Sequence, residues 1–81
     1  MWYVLTKYSF DSSKPVAGPF ETEDKAWEYA EKDADKEYQI DTEDCGWNTE
    51  MEKNRDTNEI VITNYFKCSH TDVTEWIIFE I

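Results

Sequence analysis

Seventeen consecutive residues, Glu23 to Gln39, contain no glycine, no proline and no β-branched side chain, and this run constrains the fold more than any other feature. Such a stretch favours an α-helix, because nothing in it restricts χ1 or breaks the backbone ladder. Thr22 stands where an N-cap belongs, and Glu23 and Asp24 occupy the first turn, where the helix dipole favours acid. At 100° per residue, Ala26, Trp27, Ala30, Ala34 and Tyr38 line up as one apolar stripe. Three alanines in that stripe let a sheet approach closely, with Trp27 and Tyr38 filling the ends.

The segments around the helix read as strands. Trp2–Phe10 is rich in aromatic and branched residues. Asp11–Pro19, with Lys14-Pro15 and Gly18-Pro19, reads as a loop. Asp41–Gly46 reads as the turn that ends the helix. Trp47–Lys53 and Glu59–Phe66 are strands joined by the polar turn Asn54–Asn58. Cys68–Thr71 is a connection, and Val73–Ile81 is the last strand. The expectation is an α+β fold of order β-α-β-β-β, with one helix packed on a four-stranded, mainly antiparallel sheet. The last three strands form a meander, and the first lies beside the last. The 81 residues suffice for one domain near the lower size limit, and thirteen aromatic residues help to fill its core.

One helix covers only one face of such a sheet, yet the strands carry large apolar residues on both faces. Ile77, Phe79 and Ile81 share one face of the last strand; Trp76 and Ile78 share the other. Trp76 and Ile78 are the expected dimer or partner face.

Charge narrows the function. The formal net charge is −11, and its sign opposes direct binding to nucleic acid or to an anionic membrane. Glu21 to Asp44 holds eleven acids and three lysines, a net of −8. Asp24, Glu28, Glu31 and Asp35 follow one another at spacings of four, three and four and form an acidic ridge. Lys25, Lys32 and Lys36 form its neighbour. Four helical residues advance about 6 Å, a scale comparable with successive backbone phosphates. The expected protein-binding residues are therefore Asp24, Glu28, Glu31 and Asp35, extended by Glu21, Asp41, Glu43 and Asp44. They would meet a basic protein through charge-assisted hydrogen bonds.

Chemical motifs are weak by comparison. Asp41, Glu43, Gly46 and Glu52 match four positions of a calcium-binding loop, but Cys45 stands where a fifth oxygen ligand belongs. Cys45, Cys68, His70 and Asp72 lack the close cysteine pairs of a structural zinc site. Cys68 and His70 have no third group to make a nucleophile and base. No catalytic residue, metal or cofactor is expected, and the chain reads as a binding protein. Two cysteines do not make a disulfide scaffold, no signal peptide or membrane span is apparent, and a reduced cytoplasmic setting fits.

The stretch Phe20-Glu-Thr-Glu-Asp-Lys-Ala-Trp-Glu-Tyr-Ala-Glu-Lys-Asp-Ala, with the ending Asp72-Val-Thr-Glu-Trp-Ile, resembles small acidic proteins carried by phages and mobile elements of gut Firmicutes. That group includes anti-CRISPR inhibitors, some of which mimic nucleic acid. The resemblance implies an inhibitor of a basic protein and assigns a role to no individual residue.

Overall fold

The computed structural model describes residues 1–45, 48–65 and 71–81. Five strands and one helix follow in the order β1 (Trp2–Tyr8), β2 (Val16–Phe20), α1 (Glu23–Cys45), β3 (Asn48–Asn54), β4 (Glu59–Tyr65) and β5 (Thr71–Glu80). The strands form one sheet in the order β2-β1-β5-β4-β3, with every neighbouring pair antiparallel. The last strand is thus central, with Leu5 opposite Ile77 on one side and Val61 opposite Glu75 on the other.

The four-stranded expectation is corrected by β2. Val16–Phe20 is a strand where a loop was predicted, pairing Trp2 with Phe20, Val4 with Ala17 and Leu5 with Val16. Gly18 and Pro19 are turn formers in most contexts, which hides this strand. At a sheet edge, however, proline lacks only a donor that would face away from the neighbouring strand. The register shifts between Trp2 and Val4, where these two residues are accommodated.

The helix also runs past its expected end. Asp41 and Glu43 lie in its last turns, and it reaches Cys45 with no basic residue in the final turn. The dipole disfavours acid there. Side-chain bonds hold the extension instead. Thr42 Oγ1 donates to the Tyr38 carbonyl at 2.9 Å, and Asn64 Nδ2 donates to Asp41 Oδ2 at 2.9 Å from β4. At the other end, the Lys25 amide donates to Thr22 Oγ1 at 3.2 Å, which is the expected N-cap.

The helix buries its alanine stripe. Ala26, Ala30 and Ala34 are fully buried, and Trp27 is 1% exposed. Against them lie Val4 of β1, Ile60 and Ile62 of β4, and Trp76 and Ile78 of β5, with Trp2, Phe20, Tyr38 and Met51 at the margins. Trp76 and Ile78 are 1% and 3% exposed, so they belong to the core and not to an open partner face. The alternation along β5 is as expected, but the helix covers the opposite set. Ile77 and Phe79 are on the uncovered side, level with Leu5 and Tyr3 of β1. The Phe79 and Tyr3 rings stack there, 5.8 Å apart.

Candidate functional site

The acidic ridge exists, but the protein's own cations stand on it. The turn between β3 and β4 folds back over the helix. Trp27 Nε1 donates to Asn58 Oδ1 at 3.2 Å, and Asn58 adopts the left-handed conformation that asparagine tolerates. This places Arg55 over the Trp27 ring, 4.6 Å from its centre, where its guanidinium reaches Asp24 at 3.4 Å and Glu31 at 3.3 Å. Lys53 sits between Glu31 at 3.5 Å and Asp35 at 3.2 Å. Lys32 pairs with Glu28, and Lys25 with Glu21. Every residue of the predicted ridge therefore has a cation beside it. These pairs are solvent-exposed, with the Asp24 side chain 91% accessible, so each contributes under about 1 kcal/mol and can be exchanged for a partner's cation. A cleft of about 310 Å³ follows the ridge between Asp24, Glu31, Asp35 and Arg55.

The remaining predicted residues are dispersed. Asp41 turns inward to Asn64, which in turn accepts from Thr49 Oγ1 at 2.8 Å, so this carboxylate ties the helix to β4 and β3. Glu43 accepts from Gln39 Nε2 at 3.3 Å. Asp44 lies in the last helical turn. Asp41 and Glu43 are helical and Glu52 is in β3, so these three do not share a calcium-type loop. Gly46, Cys68 and His70 lie outside the described residues. Among the described residues, no three His, Cys, Asp or Glu side chains converge as metal ligands, and no helix is long and apolar enough to cross a membrane.

A second acidic line lies outside the predicted ridge. Tyr29, Asp33, Glu37 and Asp41 recur at every fourth position, which places them on one row along the helix beside the alanine stripe. That spacing is visible in the sequence once the row is drawn. Asp33 Oδ2 accepts from Trp76 Nε1 at 2.8 Å, which satisfies the one polar atom of the largest aromatic residue in β5. Among the described residues, no lysine or arginine forms an ion pair with Asp33, Glu37 or Asp41.

Electrostatics mark the same row. Burial, followed by the carboxylates of Asp41 and Asp33, raises the Glu37 carboxyl above its usual range, against an opposing pull from Lys36. Burial also raises the Tyr8 phenol, aided by Asp33, Glu37, Tyr29 and Asp11. A raised carboxyl binds its proton more tightly in the folded chain than in the unfolded one. Glu37 therefore adds stability as pH falls through its folded value and subtracts it once ionised. Glu37→Gln is expected to raise the thermal midpoint slightly at pH 7. The gain should shrink at a pH below the ordinary carboxylate range. Melting curves of both proteins across that range measure the difference.

Comparison of the chain with protein-family models, curated proteins and solved structures returns no match, so the reading of this surface rests on its own geometry.

Proposed function

We propose that the chain is a small acidic protein-binding module, an inhibitor that presents carboxylates to a basic protein where that protein would otherwise hold a polyanion. The observation that carries this reading is the row of Asp33, Glu37 and Asp41, which among the described residues forms no ion pair with a lysine or arginine, on a helix whose surroundings are already acidic. Among the described residues, Lys53 and Arg55 return two of the eight net negative charges between Glu21 and Asp44. A field of that sign speeds encounter with a cationic surface, and exchange of the exposed ridge pairs lets Asp24, Glu28, Glu31 and Asp35 contribute after contact. A reducing, cytoplasmic setting is part of the proposal.

The test compares proteins captured by the immobilised chain with those captured by the Glu28→Lys/Asp35→Lys variant. Support requires a basic protein that double-stranded DNA displaces and that the variant loses. Capture that is indifferent to both DNA and charge reversal overturns the reading.

One observation favours a second reading, assembly through the sheet. Leu5, Ile77, Tyr3 and Phe79 adjoin one another on the uncovered face. Glu50, Glu52, Glu59 and Glu75 share that face, and opposing copies would bring these acids together. Sedimentation at rising salt distinguishes the two. A dimer that strengthens with salt and is lost in Ile77→Asp supports assembly, and a monomer throughout removes it.

A further inference from the structure

A cleft of about 270 Å³ opens between the helix and the β1–β2 edge of the sheet. Tyr8 and Tyr29 supply aromatic surface, Asp33 supplies a carboxylate, and Pro15, Val16 and Ala17 close the side toward β2. Thr6, 5% exposed, lies at its base.

The lining is held in place by contacts outside the cleft. The Tyr29 ring packs on Phe20 at 5.4 Å, and the Tyr8 ring packs on Phe10 at 5.4 Å. The Asp33 carboxylate is oriented by the Trp76 indole through Oδ2, while among the described residues Oδ1 accepts no hydrogen bond. Among the described residues, no basic side chain lines the cleft.

The molecule shows elsewhere which group suits such a lining. Arg55, the only arginine in the chain, lies on one aromatic ring and between two carboxylates. The cleft repeats that chemistry with two aromatic rings and one carboxylate but has no arginine of its own. A guanidinium is planar, is weakly hydrated for a cation, and can stack on a phenol ring while donating to a carboxylate. An ammonium forms the ion pair without the planar stacking.

We propose that this cleft receives an arginine side chain of the basic partner, with Tyr8 and Tyr29 packing against the guanidinium and Asp33 Oδ1 accepting its hydrogen bond. This inference rests on the binding role proposed above and locates its anchor. The anchor is on the row of Tyr29 and Asp33 rather than on the ridge occupied by Arg55 and Lys53.

The experiment is an NMR titration of the intact chain with N-acetyl-arginine amide, and in parallel with the citrulline analogue, which has the same shape and no charge. Saturable shifts at the amides of Tyr8, Tyr29 and Asp33 are expected with arginine and not with citrulline. Asp33→Asn retains an oxygen for the Trp76 indole and should weaken binding about tenfold. Tyr29→Ala, at a side chain already 40% exposed, should weaken it comparably and serves if Asp33→Asn does not fold. Glu52→Gln removes the same charge from the uncovered sheet face and should leave the affinity unchanged. Shifts confined to Asp24, Glu31 and Arg55, or an affinity in both cleft variants unchanged from that of the parent chain, overturn the proposal. Capture of a basic protein without arginine shifts at the cleft refutes the anchor alone. Cleft shifts without capture of any basic protein refute the wider function alone.

Discussion

Trp76→Ala is expected to remove a large part of the chain's stability, while Phe79→Ala, three residues further along the same strand, should remove little of it. Trp76 is 1% exposed beneath the helix, whereas Phe79 lies half-buried on the uncovered face against Tyr3. Truncating a buried tryptophan costs about 3–5 kcal/mol through lost burial and the cavity left behind. A domain of this length has a total stability of roughly 4–12 kcal/mol. The change also removes the donor that Asp33 Oδ2 accepts from, leaving a partly buried carboxylate without that bond. Loss of a half-exposed ring is expected to cost about 1 kcal/mol. Urea unfolding followed by circular dichroism measures both. Trp76→Phe separates the two contributions, because it keeps an aromatic ring and removes the indole donor. Equal losses at Trp76 and Phe79 would mean that the helix does not select one face of β5.

That contrast also shows how far the sequence carries. Period-two alternation placed Trp76 and Ile78 together and Ile77 and Phe79 together, and the structure keeps those sets. Alternation cannot say which set the helix covers when both are apolar. The buried set includes Thr6 and Thr74, at 5% and 3% exposure, so residue polarity did not identify it either. The helix stripe was legible because alanine, tryptophan and tyrosine recur at helical spacing, and Ala26, Ala30 and Ala34 are indeed its buried face. Its last turns were not legible, because Asp41 and Thr42 are held there by Asn64 and by the Tyr38 carbonyl rather than by local propensity.

The acidic surface was legible as composition and spacing but not as pairing. Asp24 and Glu31 meet Arg55 only because the β3–β4 turn docks on Trp27, a contact 31 residues apart in sequence. Conversely, Asp33 and Glu37 lie beside the apolar stripe and off the ridge of Asp24, Glu28, Glu31 and Asp35. Among the described residues, the tertiary fold therefore sets cations beside the ridge and leaves Asp33 and Glu37 outside any ion pair with lysine or arginine. In the proposed function the ridge steers the encounter, and the row beside Tyr29 makes the direct contact.

Gly18→Ala should detach β2 while leaving the β3–β4 hairpin intact. Gly18 has φ of +132°, a conformation that side-chain-bearing residues rarely adopt. A Cβ there would lie 2.8 Å from Tyr3 Cδ1 and 2.9 Å from the Trp2 carbonyl oxygen. The tyrosine ring can move, but the carbonyl belongs to the neighbouring strand and can shift only with the backbone. The conformational strain alone costs about 1–3 kcal/mol, and the close contact adds to it. β2 is a short edge strand, so local separation relieves both costs with less loss than global unfolding. The Thr6 amide, which donates to the Pro15 carbonyl at 3.0 Å, reports this directly. Its hydrogen exchange should accelerate, while the amides that hydrogen-bond between β3 and β4 keep their protection. Retained protection at Thr6 with unchanged stability would show that β2 is not held by close approach at Gly18. Because Pro15, Val16 and Ala17 wall the cleft at Tyr29 and Asp33, the same substitution should also weaken the arginine probe. β2, the element least visible in the sequence, would then be required for the site as well as for the sheet.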